Sequence, residues 1–302
     1  MKRVFVLGSM NMDTVLHVNH FVRPGETINA ERVSHSLGGK GLNQAVAAAR
    51  MGAPVTMLGC LGTDSASDFI RQELSHEAHL DLSHVQNVNG YNTSVAIIQI
   101  AANSDNAIVV SPGANRAVTP LRAEEWLADL TADDILVAQL EIPYDTVATA
   151  LRLAHERGAT TIFNPAPAAP CAELLSHVDI LVLNEIEASE ILGGGQADAA
   201  RMLHEKHDLA VVVTLGAAGA RVYSQGETHE LPAMAVEALD TTGAGDAFVG
   251  ALAASLSANH CLAEATRRGI TLGGFACTQV GAQSYTQRRD DVERVLASRT
   301  HH

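Results

Sequence analysis

Asp240-Thr241-Thr242-Gly243-Ala244-Gly245-Asp246-Ala247-Phe248 is a small-residue turn that runs into an apolar helix and carries an acid at the junction. Gly243 and Gly245 let backbone N–H groups come close to a ligand. A helix beginning near Ala244 aims its unsatisfied N–H groups and the positive end of its dipole at that ligand. Anions, phosphate above all, bind at such places. Asp246 stands where a phosphate would repel it. It is therefore either an ordinary helix-start acid or a base beside a phosphoryl transfer.

Working outward, a second glycine-rich helix start lies far upstream. Gly38-Gly39-Lys40-Gly41-Leu42-Asn43-Gln44 leads into a helix over Ala45 to Met51, with Gly52 at its C-cap. Its glycines are expected to expose backbone N–H groups, with Lys40 as a cation and Asn43 on the first turn. It is not a Gly-x-x-x-x-Gly-Lys-Ser/Thr phosphate loop, and no Gly-x-Gly-x-x-Gly turn occurs anywhere in the chain. Between and around these two starts the rhythm is strand then helix. Val4 to Leu7, Val55 to Cys60, Ile135 to Leu140, Thr160 to Phe163, Ile180 to Leu183 and Leu209 to Thr214 read as strands. Continuous apolar runs such as Ala210-Val211-Val212-Val213 indicate a parallel sheet covered on both faces.

Polar residues fall directly after these strands: Asn11 and Asp13, Glu141, Asn164, Asn184 and Glu187, and Thr214. Ligands collect beyond the carboxyl ends of strands in open parallel sheets. Asn11 and Asp13, two apart in an extended segment, point the same way. Asn184 and Glu187 share one side of a helix start. They read as a capping box, as holders of metal-bound water, or as both. Two segments break the rhythm. Residues 14–36 carry a turn at Pro24-Gly25-Glu26-Thr27, and residues 91–110 read as short strands around Ala102-Asn103-Ser104-Asp105-Asn106. They are expected to pair into one small sheet covering the site.

The 302 residues, 47% hydrophobic, suffice for one large α/β domain with a small insert. A net charge of −14 argues against nucleic acid or an anionic membrane as the partner. Cys60, Cys171, Cys261 and Cys277 are far apart, which suits reduced thiols and a cytoplasmic location. The apolar run after Met1-Lys2-Arg3 ends at Gly8-Ser9. It is too short for a signal peptide and reads as a buried strand. No apolar run is long enough to span a membrane.

Taken together, Gly38 to Ala45, Asp240 to Phe248 and Asn184-x-x-Glu187 resemble the signatures of the ribokinase-like (PfkB) carbohydrate kinases, in the same order and with similar spacing. The likeness runs from Val4 to about Val295. Gly8-Ser9-Met10-Asn11-Met12-Asp13, Pro24-Gly25-Glu26-Thr27, Gln139-Leu140-Glu141 and Asn164-Pro165-Ala166-Pro167-Ala168 resemble the branch that acts on ribose.

The resemblance implies a three-layer α/β/α sandwich with a mainly parallel central sheet and a small β-sheet lid. Residues 1–13, 37–90 and 111–302 would form the core, and 14–36 and 91–110 the lid, through which a homodimer would form. It implies transfer of the γ-phosphate of ATP to the 5-hydroxyl of D-ribose, with Asp246 as base and Gly243, Ala244 and Gly245 as the anion hole. Asn11, Asp13, Gly39, Lys40, Asn43 and Glu141 would bind the sugar. Asn184, Thr214, Gly216, Gly219 and Gly245 would border ATP. Glu187 would hold Mg²⁺ through water, and Asp240, Thr242, Ala276 and Gly281 would hold a monovalent cation, K⁺. Other acceptors compatible with the family are deoxyribose, a nucleoside such as pseudouridine, or a fructose phosphate; a sugar-binding regulator without catalysis is the reading from another class. Two departures stand out. Ser284-Tyr285 replaces a usual Pro-Ser beside the cation loop, and Leu42 replaces a usual Ala in the glycine-rich turn.

Overall fold

The computed structural model describes residues 1–103, 105–195 and 198–299. Ser104 in the expected turn, Ala197 at an expected helix start, and His301-His302 lie outside them. The chain order is β1 (Val4–Leu7), β2 (Asn11–His17), β3 (Arg32–Gly38), α1 (Lys40–Arg50), β4 (Val55–Leu61), α2 (Ser65–Leu74), β5 (Leu80–Asp81), β6 (Val85–Asn87), β7 (Ser94–Ile100) and β8 (Asn106–Ser111). Then come α3 (Pro120–Trp126), β9 (Ile135–Ala138), α4 (Tyr144–Glu156), β10 (Thr160–Phe163), β11 (Ile180–Asn184), α5 (Glu185–Ile191) and α6 (Ala199–His207). The last part holds β12 (Ala210–Thr214), β13 (Ala220–Ser224), β14 (Glu227–Leu231), α7 (Ala244–Ser257), α8 (Leu262–Ala276) and α9 (Arg289–Arg299).

The main sheet runs β14-β13-β12-β11-β10-β9-β1-β4-β5, with β6 also paired to β4. It is parallel from β12 to β5, and β13 and β14 form an antiparallel edge. Alternation along each strand sends side chains to opposite faces. Val4 and Val6 pack with α1, α7 and α8 on one face, while Phe5 and Leu7 pack with α3, α4 and α6 on the other. These are the three layers that the apolar runs lead one to expect.

The second sheet has the order β3-β2-β7-β8. Its first strand begins at Asn11, three residues before the expected excursion at residue 14, so Asn11 and Asp13 are carried by this sheet rather than by a loop. Pairing of β2 with β3 places Asn11 opposite Gly38 and Asp13 opposite Ser36. The small sheet therefore carries sugar-candidate residues itself.

Close approach of α1 to α7 brings Asn43 and Gln44 against Asp246, and glycine permits it. A Cβ on Gly250 would stand 2.5 Å from the Gln44 carbonyl oxygen and 2.8 Å from the Ala48 nitrogen. Backbone atoms cannot yield as a side-chain tip can. Gly250→Ala is expected to cost about 1–3 kcal/mol, as overpacked cores do. A lowered denaturant midpoint measures it, and an unchanged midpoint would mean that the helices can separate freely.

Candidate active site

The two helix starts are built differently. At α1 the turn is made by Gly39, whose φ of 90° suits glycine. The N–H groups that follow are already taken. Lys40 N donates to Glu141 Oε2 at 2.9 Å, Gly41 N to Ser9 Oγ at 3.3 Å and Leu42 N to the Ser9 carbonyl at 2.9 Å. The expectation that this turn exposes N–H groups to a ligand is corrected: Ser9 and Glu141 consume them. Glu141 Oε2 also accepts the Ser9 hydroxyl at 2.5 Å. At α7, Gly243 occupies the cap position with φ 76° and no side chain caps the helix. A Cβ on Gly243 would strike the Ala282 backbone, whereas beside Gly245 the space is open. No side chain takes the amides at the start of α7: Ala244 N turns back to the Thr241 carbonyl at 3.2 Å, while the Gly243 and Gly245 N–H groups meet no partner among the described residues and stay available to an anion.

Asp246 sits in the first turn of α7 and is 7% exposed. Asn43 Nδ2 donates to its Oδ2 at 2.9 Å and Gln44 Nε2 to its Oδ1 at 3.0 Å. Burial raises its carboxyl above the ordinary value; Lys40, Asn43 and Gln44 oppose this, and Glu141 adds to it. The amides are themselves held. Gln139 Nε2 donates to Gln44 Oε1 at 2.6 Å, Gln44 Nε2 also reaches Asn164 Oδ1 at 3.0 Å, and Gln283 Nε2 donates to Asn43 Oδ1 at 2.7 Å. The carboxylate is fixed in orientation and kept at a raised pKa, two properties of a general base.

Asp13 is a half-buried acid. Its Oδ1 is sealed from solvent without a hydrogen-bond partner, and its carboxyl lies directly over Gly38 where any Cβ would collide. Burial and the nearby Glu141 push its pKa up to about 6. An unpartnered buried carboxylate is costly, and hydroxyl donors from a ligand would satisfy it. Beside it on β2, Asn11 is 6% exposed and accepts a hydrogen bond from Asn115 at 2.9 Å.

Beyond Asp246 the cleft widens in two steps. The first cavity, about 230 Å³, is lined by Lys40, Asn164, Asn184, Glu187, Gly243 and Asp246 among others. Asn184 and Glu187 form the expected capping box, with Glu187 N on Asn184 Oδ1 at 2.8 Å and Asn184 N on Glu187 Oε2 at 2.9 Å. Burial raises the Glu187 carboxyl, and Lys40 opposes the rise. The second cavity, about 590 Å³, is apolar and lined by Gly216, Ala233, Val236, Phe248 and Ile270 among others. Thr214, Thr241 and Gly245 line both. Gly216 faces open space, but Gly219 is there for the fold: with φ 103°, a Cβ on it would stand 2.6 Å from the Ala233 nitrogen.

Three of the expected cation residues, Asp240, Thr242 and Gly281, gather in one loop cluster; Ala276 ends α8, and its neighbour Cys277 accepts from Asp240 N at 3.2 Å. Asp240 Oδ1 accepts from Thr242 N at 2.9 Å and Oδ2 from Gly281 N at 2.8 Å. Burial works against ionisation here, yet these bonds hold the Asp240 carboxyl below its usual value. Tyr285, the departure beside this loop, is buried with Arg50 over its ring at 5.0 Å, and Arg50 donates to the Gln283 and Tyr285 carbonyls at 2.8 Å each. The ring therefore fills core, and the loop is pinned to α1. Ser9, Gln44, Asn115, Gln139 and Gln283 were not singled out from the sequence. For Ser9, Gln44, Gln139 and Gln283 the only signal is position near a residue that was, and Asn115 has none.

The family model for pfkB family carbohydrate kinase matches residues 1–289. The chain is 37% identical over 302 residues to a ribokinase of Haemophilus influenzae, covering 98% of each. It is 33% identical over 290 residues to a deoxyribokinase of Salmonella typhi, covering 93% of this chain and 94% of the other. Among solved structures, the ribokinase of Arabidopsis thaliana complexed with ribose and ATP superposes with a TM-score of 0.89 at 28% identity over 98% of each chain.

Proposed function

The chain belongs to the pfkB family of carbohydrate kinases, and we propose that it transfers the γ-phosphate of ATP to the 5-hydroxyl of D-ribose, giving ribose 5-phosphate and ADP. It is a phosphotransferase acting on a sugar hydroxyl. The observation that carries the reading is Asp246: a buried, amide-oriented carboxylate at the uncapped start of α7, lining the cleft to the apolar cavity. Asp246 takes the proton of the primary hydroxyl, and the freed oxygen attacks the γ-phosphorus. The Gly243 and Gly245 amides, on either side of Ala244, and the α7 dipole meet the charge that develops on the phosphoryl oxygens; the Ala244 amide joins them by leaving the Thr241 carbonyl. Little covalent work is asked of the protein; positioning and charge neutralisation dominate. Asn11, Asp13, Gly39, Asn43 and Glu141 hold the sugar, with Lys40 between sugar and phosphates. Thr214, Gly216 and Gly219 border the nucleotide, whose base suits the apolar cavity.

A divalent metal accompanies ATP in such enzymes, and Mg²⁺ fits the residues present. Among the described residues no three acidic, His or Cys side chains cluster as a metal cage. A single half-buried carboxyl, Glu187, beside Asn184 suits an ion that keeps its waters and takes phosphate oxygens as ligands. Bound there, Mg²⁺ would supply positive charge to the phosphates. The Asp240 cluster, with the Ala276 and Gly281 carbonyls and Thr242, is an all-oxygen set suited to K⁺. We assign the β3-β2-β7-β8 sheet as a lid over the sugar that excludes water. Its exposed Val33, Ile97, Ile108, Val109 and Val110 favour pairing of two copies, in the cytoplasm.

ADP release with ribose, 2-deoxyribose, a nucleoside and fructose 6-phosphate tests the reading. Ribose in KCl should give the fastest turnover. Replacing KCl by tetramethylammonium chloride should slow it several-fold, and Asp240→Ala should abolish that difference. Faster turnover of 2-deoxyribose, favoured by the likeness to deoxyribokinase, would reassign the substrate. No sugar-dependent ADP release would overturn the kinase reading, and indifference of the native protein to K⁺ would remove the cation site.

A further inference from the structure

Asn115 lies in the 3-10 turn Gly113–Ala117 that follows β8, where the small sheet returns to the core. The turn is pinned: Ala114 N donates to the Asn92 carbonyl at 2.8 Å, and a Cβ on Gly113 would stand 2.9 Å from the Ser94 nitrogen. Asn115 itself is 2% exposed. Both ends of its amide are used on the chain entering β2. Met10 N donates to Asn115 Oδ1 at 3.0 Å, and Asn115 Nδ2 donates to Asn11 Oδ1 at 2.9 Å.

This pair of bonds leaves no freedom of orientation. A backbone N–H can only donate, so Met10 requires the oxygen of Asn115. The Asn115 NH₂ group must then face Asn11, and Asn11 must answer with its oxygen. The Asn11 NH₂ group has no partner among the described residues, nor is it among their solvent-sealed atoms. It stays a donor next to the Asp13 carboxylate, which can only accept when ionised. We propose that Asn115 is a positioning residue that sets the polarity of Asn11, so that the wall of the sugar site presents a donor beside an acceptor. A hydroxyl that accepts from Asn11 while donating to Asp13 satisfies both at once. A sugar lacking that hydroxyl leaves the Asn11 donor and one Asp13 lone pair unmatched, which favours the 2-hydroxylated pentose over its 2-deoxy analogue. The inference rests on the reading of Asn11 and Asp13 as sugar ligands.

The test compares kcat/KM for ribose and 2-deoxyribose in Asn115→Ala and in Asn115→Asp. The aspartate is nearly isosteric and still accepts from Met10 N, but it also accepts from Asn11, and so turns the Asn11 oxygen toward the sugar. Both variants should raise the ribose KM about tenfold and shrink the ribose preference by a similar factor. The ATP KM and kcat at saturating ribose should stay near native. A purely structural role would depress both sugars alike and leave their ratio unchanged, which overturns the inference. If Asn115→Ala does not fold, Asn115→Asp decides alone. If Asn115→Asp fails too, Asn11→Asp, which removes the donor without touching the turn, decides by the same ratio. Native protein that phosphorylates neither pentose overturns the reading of the site itself, whereas native activity with an unchanged ratio in the variants overturns only the role of Asn115.

Discussion

Asp246→Asn should lower kcat with ribose by about 10²–10⁴-fold, the usual worth of a general base, while the protein stays folded and still binds ATP. That factor is about 3–5 kcal/mol of barrier. The substitution removes the proton acceptor at nearly constant volume. It also creates a local conflict. Both carboxylate oxygens of Asp246 receive amide N–H groups, from Asn43 and Gln44. One side of the substituted amide must present NH₂ to another NH₂, and neither donor turns easily, since Gln283 holds Asn43 and Gln139 holds Gln44. Against that conflict, the variant no longer buries an ionisable group whose charge burial disfavours. The melting temperature should therefore move little, and titration with an ATP analogue should give a native dissociation constant. Loss of ATP binding together with turnover would instead make Asp246 a nucleotide ligand. Near-native turnover would remove it as base.

The core was legible because burial on both faces of a parallel sheet writes continuous apolar runs, and Val4–Leu7, Ile135–Ala138 and the first four residues of Ala210–Thr214 are such runs. Elements without that signature went unread. β5 and β6 have two and three residues, too few for a pattern. The edge strand β14 is Glu-Thr-His-Glu-Leu, exposed at its first four positions. α9 carries too weak an apolar stripe to stand out from its charged residues. The start of α1 was misjudged for a different reason. Glycine spacing reports that N–H groups can be approached. Whether Ser9 and Glu141 have already approached them depends on loops 32 and 101 residues away.

In the same way, Asn11, Asp13, Glu141, Asn184 and Asp246 could be picked out one by one from their places after strands or at helix starts. The amides that orient them could not. Gln44, Gln139, Asn115 and Gln283 act across separations of 95 to 240 residues. A buried amide leaves no periodicity in the sequence. Its role is defined by which end of it meets a fixed donor, and that exists only once the chain has folded.

Asp13→Asn should make the protein more stable and almost unable to hold ribose. The sign follows from linkage. In the folded protein the carboxyl is raised from 3.8 to about 6, so between those values the native state holds the proton that the unfolded state has released. Stability of the native protein therefore falls as pH rises through that window, and above it the full cost remains. Roughly two units correspond to about 3 kcal/mol at most. A neutral amide escapes this cost, so at pH 8 the variant should gain about 1–3 kcal/mol, and the gain should shrink to about half by pH 5. The same carboxylate is what sugar hydroxyls would satisfy: its Oδ1 has no partner among the described residues, and hydrogen bonds to a charged group are worth about 1.5–3 kcal/mol each. Losing two such bonds should raise the ribose KM about 100-fold or more, with the ATP KM unchanged. Thermal melts at pH 5 and pH 8, beside ribose titrations of the initial rate, measure both halves. A variant that melts lower at pH 8 would show that Asp13 is a structural acid, and an unchanged ribose KM would remove it from the sugar site. Both results as expected would mean that the site keeps an acid at a cost in folding stability which the sugar, on binding, offsets.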